Sequence, residues 1–327
     1  MLRTRILGTG SNLPEKILTN ADLEKMVDTS DEWIVSRSGI RERRVVDEDI
    51  PSSELALPAA RQAIDGAGLS PEDIDAILVA TVTPDMAFPS TACLLQNKLG
   101  CRQVPGFDFS AGCTGFIYGL ILADSLIKTG SAKHILVVAV EELTKIVNWE
   151  DRSTCVLFGD GAGAAVVGPS ENDDVGIVGK YWSGDGSVAD YLKLPAGGSL
   201  MPPSQKTLDE KLHTLHMLGN ETFKTAVRAM EEASVEGLKN ANIDVEDLDW
   251  LIPHQANIRI IEFTAKRLKM PMDRVIITID KYGNTSASSV PIALDEALKS
   301  GKIKHGDDVL LVAFGAGFTW GSNVIRF

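Results

Sequence analysis

Short, continuous apolar runs alternate along this chain with longer amphipathic stretches. The apolar runs are rich in β-branched residues and occupy residues 75–80, 134–140, 248–253, 274–279 and 309–314. Such runs predict strands buried on both faces of a sheet. The amphipathic stretches predict helices at 55–67, 116–128, 221–241, 258–269 and 290–299. The pattern therefore predicts an α/β fold in which helices cover both faces of the sheet.

Similar segments recur in the same order about 172 to 174 residues apart. Residues 71–78 resemble residues 245–252, residues 122–126 resemble 294–298, and residues 135–139 resemble 309–313. Any one match alone is weak, since α/β segments resemble one another by chance. Together the three predict a duplication with pseudo-twofold symmetry, whose halves we place at residues 1–170 and 171–327.

The duplication brings two chemically distinctive turns into register. Gly112-Cys113 and Gly283-Asn284 lie 171 residues apart, each predicted to follow a strand and to precede a helix. Because a two-fold duplication brings such loops together near its axis, we expect Cys113 and Asn284 to be neighbours. A cysteine at a helix N-terminus is expected to have a lowered pKa, which favours a nucleophile over a packing residue at this position.

His254 follows a predicted buried strand in the sequence Ile-Pro-His-Gln-Ala-Asn, residues 252–257. That edge of an α/β sheet is where ligand-binding groups commonly lie. The other four histidines stand in polar stretches and are interpreted as solvated, and no third ligand accompanies His213 and His216. We therefore predict no metal site.

Composition narrows the function further. The 327 residues carry a net charge of −13, which argues against a nucleic-acid-binding protein. No apolar run approaches the roughly 20 residues of a membrane helix, and the beginning of the chain shows no signal-peptide pattern. Four sparse cysteines argue against a disulfide scaffold. We expect a cytoplasmic protein with reduced thiols.

Four motifs together resemble the thiolase-fold condensing enzymes, and most closely the 3-oxoacyl-acyl carrier protein synthase III family. They are residues 108–116 around Cys113, residues 254–257, the Gly-Asn-Thr-Ser run at 283–286 and residues 315–321. The likeness extends to residues 28–34 and 39–43 and so covers nearly the whole chain. It implies a thiolase-like α/β fold in five layers, αβαβα, made of two similar halves.

The resemblance also implies a two-step reaction without a cofactor. Cys113 would take a short acyl group from acyl-CoA, with the backbone amides of Cys113 and Ala316 stabilising the oxyanion. His254 and Asn284 would then stabilise the enolate that forms as malonyl-acyl carrier protein loses CO₂. The product would be a 3-oxoacyl-carrier protein. Gly-Ala-Gly at 315–317 differs from the three glycines of the family, a small change where the donor is a backbone amide.

Further sites follow from the resemblance alone. It places acyl-CoA against Thr29, Trp33, Arg37, Arg152, Asn220 and Asn257, and the acyl chain against Phe88, Leu143 and Phe158. Phe88 would cross the interface of a homodimer. Carrier-protein docking would use the cationic side chains Lys224, Arg259, Lys266 and Arg267, which suit an acidic partner on an otherwise negative enzyme.

Several alternatives remain open at this point. A polyketide or quinolone starter synthase would use the same triad with a different acyl primer. A thioester hydrolase would use the same residue types, and a non-enzymatic CoA- or carrier-binding scaffold would not need Cys113. A dinucleotide-binding oxidoreductase is weakly supported, because Leu13 stands where its glycine fingerprint needs glycine. The length and branching of the acyl chain stay undecided.

Overall fold

The computed structural model describes residues 3–327 as a layered α/β fold. Its strands, in chain order, are β1 (Thr4–Asn12), β2 (Ile17–Thr19), β3 (Glu42–Arg44), β4 (Ala76–Ala80), β5 (Gly106–Phe109), β6 (Ile135–Glu142), β7 (Asp160–Pro169), β8 (Gly176–Gly184), β9 (Leu192–Lys193), β10 (His216–Met217), β11 (Trp250–Pro253), β12 (Asp308–Gly315) and β13 (Thr319–Arg326). Its helices are α1 (Asn20–Leu23), α2 (Asp31–Ser38), α3 (Ser52–Gly66), α4 (Thr91–Leu99), α5 (Gly115–Lys128), α6 (Arg152–Cys155), α7 (Gln205–Asp209), α8 (Gly219–Ala241), α9 (Ile258–Arg267), α10 (Ile279–Tyr282) and α11 (Ser289–Lys299).

Two large sheets share one strand order. The first runs β1-β7-β6-β4-β5, and the second runs β8-β13-β12-β11 when read from the corresponding edge. In each sheet the first three pairings are antiparallel, antiparallel and parallel. The first sheet uses residues between 4 and 169, and the second uses residues between 176 and 326. The division of the chain at residues 170 and 171 stays a prediction.

Helices fill three layers around these sheets. Side chains of α5 and α11 join one apolar core with the facing sides of both sheets. Side chains of α3 and α4 pack on the outer face of the first sheet, and those of α8 and α9 pack on the outer face of the second. The order is therefore αβαβα, as expected. Among residues 3–327, no helix is long and apolar enough to span a membrane.

Four of the five predicted strands are confirmed, and the strand predicted at 274–279 is wrong. Residues 272–274 form a 3-10 turn, Val275 makes a single parallel bridge to Leu251, and α10 begins at Ile279. This segment lies where β5 lies in the first sheet, on the free side of the equivalent strand. It does not pair further because the next donor in register would be residue 253, and Pro253 has no N–H. The buried side chain of Gln255 binds the backbone groups instead. Gln255 Nε2 donates to the Ile276 carbonyl at 3.2 Å, and Gln255 Oε1 accepts from the Thr278 amide at 2.9 Å.

Candidate active site

Cys113 lies in a tight turn between β5 and α5. Residues 112–114 form a 3-10 turn that begins at Gly112, whose φ of 51° is in the left-handed region. A Cβ at Gly112 would lie 2.7 Å from the Ala316 nitrogen, and one at Gly315 would lie 2.4 Å from the Cys113 nitrogen. Glycine at both positions therefore lets the Cys113 and Ala316 amides, the two predicted oxyanion donors, approach each other.

Burial controls the thiol of Cys113, which is only 9% exposed. Desolvation raises the pKa of this thiol to about 12, and the nearby Glu141 acts in the same direction, while a hydrogen bond with the Ser286 side chain opposes both. The lowered pKa expected from a helix N-terminus is therefore wrong for the resting protein. The thiol is protonated at neutral pH and must lose its proton as it reacts.

His254 follows β11 and is held from both sides. Its amide donates to the Val312 carbonyl at 2.8 Å, and its ring packs edge-on against Phe314. Nδ1 lies 2.7 Å from Ser289 Oγ, while Nε2 is buried without a hydrogen-bond partner among the described residues. Burial lowers the pKa of His254 to about 3, so the imidazole is neutral at pH 7.

Asn284 is fixed by its neighbours along the backbone. Its amide donates to the Leu157 carbonyl at 2.9 Å, and its carbonyl accepts from the Gly159 amide at 3.1 Å. Its side-chain Oδ1 accepts from the Ser286 amide at 2.9 Å, which leaves Nδ2 as the free donor. The predicted strand before Asn284 is absent, since α10 and Gly283, with φ 66°, precede it instead.

Three cavities follow one another, and Cys113 lies between two of them. The middle one, about 100 Å³, is bordered by Cys113, His254 and Asn284 together. Cys113 and Phe158 also border an apolar cavity of about 690 Å³, and Phe223 and Asn257 also border an outer cavity of about 290 Å³. A substrate can therefore enter from the outer cavity, react at Cys113 and extend into the apolar one.

The predicted acyl-pocket residues all border the 690 Å³ cavity. Leu143 and Phe158 are buried in its wall, next to Ile146 and Leu215. Phe88 is 84% exposed and lies at its open end, so it is not a packing residue of this chain.

The predicted CoA residues separate into two groups. Trp33, Arg37, Asn220 and Asn257 border the outer cavity. Arg152 does not border it but places its guanidinium 4.8 Å from the centre of the Trp33 ring, on which Arg37 also lies at 6.0 Å. Thr29 lies outside that cavity, and its buried hydroxyl has no partner among the described residues.

Asn257 also has a structural role. Its Oδ1 caps α9 by accepting from the Arg259 amide at 2.9 Å, and its Nδ2 donates to the Arg37 carbonyl at 2.9 Å. One N–H of the side-chain amide is left for a ligand.

The four predicted docking cations are exposed on α8 and α9. Arg259 stacks on Phe223 at 5.1 Å beside the outer cavity, and Arg267 faces Glu231 at 3.7 Å.

Sequence reasoning missed Arg228, an exposed cation one helical turn after Lys224, although its four-residue spacing was the signal. It also missed Glu141, Ser286 and Ser289, which lie around the reacting side chains. The pair of glutamates that ends the apolar run of β6 was a visible signal for Glu141.

Two models of one protein family match the chain. The model described as "3-Oxoacyl-[acyl-carrier-protein (ACP)] synthase III" matches residues 107–186, and the model described as its C-terminal part matches residues 238–327.

Named relatives cover nearly the whole chain. A protein of Caldanaerobacter subterraneus subsp. tengcongensis named "Beta-ketoacyl-[acyl-carrier-protein] synthase III" is 58% identical over 322 residues, covering 98% of this chain and 97% of its own. A Clostridioides difficile protein of the same name is 51% identical and covers 98% of each chain. The crystal structure of 3-oxoacyl-[acyl-carrier-protein] synthase III from Aquifex aeolicus VF5 is 49% identical, with a TM-score of 0.92 over 99% of this chain and 100% of that one.

Proposed function

We propose that Cys113, His254 and Asn284 carry out the reaction of this protein. The chain belongs to the 3-oxoacyl-[acyl-carrier-protein] synthase III family of thiolase-fold condensing acyltransferases. The enzyme initiates fatty-acid synthesis. The observation that carries the assignment is the position of Cys113, buried between the apolar cavity and the middle cavity, with His254 and Asn284 on the middle one.

In the first step Cys113 Sγ attacks the thioester carbonyl of a short acyl-CoA. A new S–C bond forms, the carbonyl electrons move to oxygen, and CoA leaves. The amides of Cys113 and Ala316, brought together by Gly112 and Gly315, are placed to stabilise the oxyanion. The nucleotide of CoA stacks on the Trp33 ring, beside the guanidinium groups of Arg37 and Arg152. A flat base can stack on an aromatic face where arginine also stacks.

In the second step a malonyl thioester loses CO₂ at the same place. The enolate oxygen accepts hydrogen bonds from His254 Nε2 and Asn284 Nδ2, both free of protein partners in the described residues and directed to one small cavity. A neutral imidazole that keeps its proton is suited to donate this bond. The carbanion then attacks the acyl carbonyl on Cys113, which releases the 3-oxoacyl product.

The partners belong to the same proposal. Acyl carrier protein docks on the cationic side chains of α8 and α9, near the outer cavity. The exposure of Phe88 at an open cavity end supports a homodimer in which a second chain covers it. We propose a cytoplasmic location and no cofactor. Among residues 3–327, no cluster of three or more His, Cys, Asp or Glu side chains is placed to hold a metal.

The alternatives are less well supported. Full-length identity of 58% to a 3-oxoacyl-carrier protein synthase III favours the fatty-acid enzyme over a polyketide or quinolone starter synthase. An apolar cavity of about 690 Å³ beyond the nucleophile suits retention of an acyl chain, which a hydrolase or a scaffold does not require.

Intact-protein mass spectrometry with a panel of acyl-CoAs tests the function. We expect a thioester adduct on Cys113 that malonyl-acyl carrier protein discharges. Cys113→Ala should give no adduct. The matched control is Cys93→Ala, because Cys93 is the exposed thiol and reports non-specific acylation.

Two results would contradict the assignment. An adduct that maps to Cys93 or Cys155 would remove Cys113 as the nucleophile. A Cys113 adduct that water discharges as fast as the malonyl carrier does would indicate a hydrolase.

A further inference from the structure

A buried glutamate that the reaction above does not use lies behind the nucleophile. Glu141, near the end of β6, is fully buried. Its Oε2 accepts from the Val82 amide at 3.1 Å and the Thr83 hydroxyl at 3.2 Å, and its Oε1 accepts from Ser286 Oγ at 3.1 Å. These donors stabilise the carboxylate, while burial without a cation among its described partners favours the protonated acid, so opposing effects act on the two forms of this group.

Ser286 connects this glutamate to the nucleophile. Both residues border the 690 Å³ cavity, and the Ser286 side chain lies close enough to the Cys113 thiol to lower its pKa. Ser286 has φ 50°, a left-handed conformation that is strained for a residue with a Cβ. In the resting site Ser286 donates its only hydroxyl hydrogen to Glu141, so its oxygen has lone pairs that can take the thiol proton as Sγ attacks. The hydrogen bond that lowers the thiol pKa is the one that Ser286 donates to the thiolate once it has formed.

His254 is not placed to take that proton. Ser289 Oγ accepts from the Gln255 amide at 3.2 Å and lies 2.7 Å from His254 Nδ1. Among the described residues Nδ1 is the one acceptor within reach of the Ser289 hydroxyl hydrogen, so we assign Ser289 as the donor to Nδ1, which leaves the ring proton on Nε2. The ring nitrogen that faces the cavity is then a donor, which suits the enolate but leaves no lone pair for the thiol.

We propose that Glu141 accepts the Cys113 proton through Ser286 during acylation and returns it when the product leaves. As Sγ attacks, its proton moves to Ser286 Oγ while the Ser286 proton moves to Glu141 Oε1. CoA departs as a thiolate and takes a proton from water. After condensation, Cys113 leaves as a thiolate and recovers the proton from Glu141 by the same route. This proposal depends on Cys113 being the nucleophile of the proposed function.

The environment of Glu141 agrees with this role. Burial raises the pKa of its carboxyl to about 8, so the group is mostly protonated at pH 7, and the carboxylate fraction that can accept a proton grows as the pH rises towards 8. The titratable group that faces it is Cys113, and its other neighbours are amides and hydroxyls. The adjacent Glu142 instead pairs with Lys145 at 2.8 Å.

Single-turnover acylation, followed by quench and intact mass between pH 6 and 10, tests the relay. In the wild type we expect the rate to rise with pH and level off near pH 8. In Glu141→Gln we expect it to be about 100-fold slower at pH 7, the order of one general base, and to keep rising with pH as the thiolate fraction grows. Ser286→Ala should behave in the same way. Glu142→Gln is the matched control and should keep the wild-type profile.

A second measurement separates the relay from damage to the fold. Decarboxylation of malonyl-carrier protein, measured in a Cys113→Ala background, should be unchanged by Glu141→Gln. Wild-type acylation rates and pH profile in both Glu141→Gln and Ser286→Ala would overturn the relay, as would equal losses in acylation and decarboxylation. If the wild type itself formed no Cys113 adduct, the proposed function would fail first.

Discussion

The turns that carry Cys113 and Asn284 occupy equivalent places in the two sheets but are supported differently. β5 leads to Cys113 and pairs with β4 at four residue positions. The segment that leads to Asn284 has a single bridge, from Val275 to Leu251. Both turns then pass through a left-handed glycine, a 3-10 turn and a helix. The same local form is thus reached through a strand in one half and without one in the other.

A side chain replaces the missing strand. Gln255 donates to the carbonyls of Pro253 and Ile276 and accepts from the amides of Thr278 and Ile279. The first turn is therefore placed by backbone pairing, and the second by one buried amide. The difference is consistent with the proposed mechanism, in which Cys113 reacts from a buried turn and Asn284 orients a side-chain amide towards the enolate.

The substitution Cys113→Ala should have the largest effect, and it best distinguishes the roles of the two turns. For Cys113→Ala we expect condensation to fall more than 1,000-fold, since no other side chain can form the acyl-enzyme. Radiolabelled acyl-CoA and malonyl-carrier protein measure this loss. Release of CO₂ from the malonyl substrate should continue, because the second turn is intact. Equal loss of CO₂ release would show that the turns do not act separately.

A substitution at Asn284 tests the role of the second turn in the same way. Asn284→Ala removes Nδ2 as an enolate donor and should slow decarboxylation and condensation about 100-fold, the size of one lost oxyanion donor. Acylation of Cys113 should stay within a few-fold of the wild type, as followed by intact mass. Asn172→Ala, at an exposed asparagine distant in sequence, serves as the matched control. An Asn284→Ala enzyme that failed to acylate would contradict the division of labour.

Loss of the buried amide of Gln255 should weaken only the second turn. Gln255→Leu keeps a similar volume but leaves backbone groups of Pro253, Ile276 and Thr278 without partners. We expect the free energy of unfolding to fall by about 2 kcal/mol, since unsatisfied buried groups cost about 1–3 kcal/mol each and some will find water. Urea unfolding measures it, and Gln62→Leu on the surface is the control. An unchanged midpoint would mean that the bridge at Val275 suffices.

The duplication explains how much of this site sequence reasoning reached. The repeated segments and the continuous apolar strands predicted the layers, and the register of Gly112-Cys113 with Gly283-Asn284 indicated that the two would meet. The strand predicted at 274–279 failed because a β-branched run shows only that a segment is buried. Whether it pairs depends on its neighbour β11, where Pro253 has no N–H to continue the ladder, and on Gln255, whose side chain binds the same backbone groups.

The pKa values and buried hydrogen bonds of the site were harder to predict from the sequence. The helix N-terminus suggested a lowered pKa for the thiol, but burial depends on packing from both halves, which local sequence does not reveal. Glu141 and Ser286 are 145 residues apart, so their hydrogen bond appears only in the folded chain. The role of Phe88 was reached through resemblance alone, because its exposure at a cavity end is not a property of its neighbours in sequence.

Acid should lower the stability of the folded protein through His254, which lies in the second half of the chain. Its folded pKa of about 3 lies below the ordinary value of 6.5. Between these values the unfolded chain binds a proton that the folded chain does not, so stability falls as pH drops below 6.5. One such group accounts for about 1.4 kcal/mol per pH unit. Unfolding free energies at pH 7 and 5.5 should therefore differ less in His254→Gln than in the wild type or in the control His305→Gln. Identical differences would mean that His254 is not buried in its neutral form.

The smallest expected effect concerns the proposed carrier-protein surface, whose residues all lie in the second half of the chain. Lys266→Glu reverses one exposed charge on α9, and we expect about a fivefold rise in KM for malonyl-acyl carrier protein, since one charge near an acidic partner contributes roughly 1 kcal/mol. Loading of Cys113 from acyl-CoA should be unchanged. Lys16→Glu applies the same charge change at an exposed position outside α8 and α9 and should leave both steps alone. Added salt should shrink the difference between Lys266→Glu and the wild type, because exposed charges are screened. If loading and condensation weakened equally, the cations of α9 would serve acyl-CoA at the outer cavity instead, and the two half-reactions would share one entrance and one electrostatic surface.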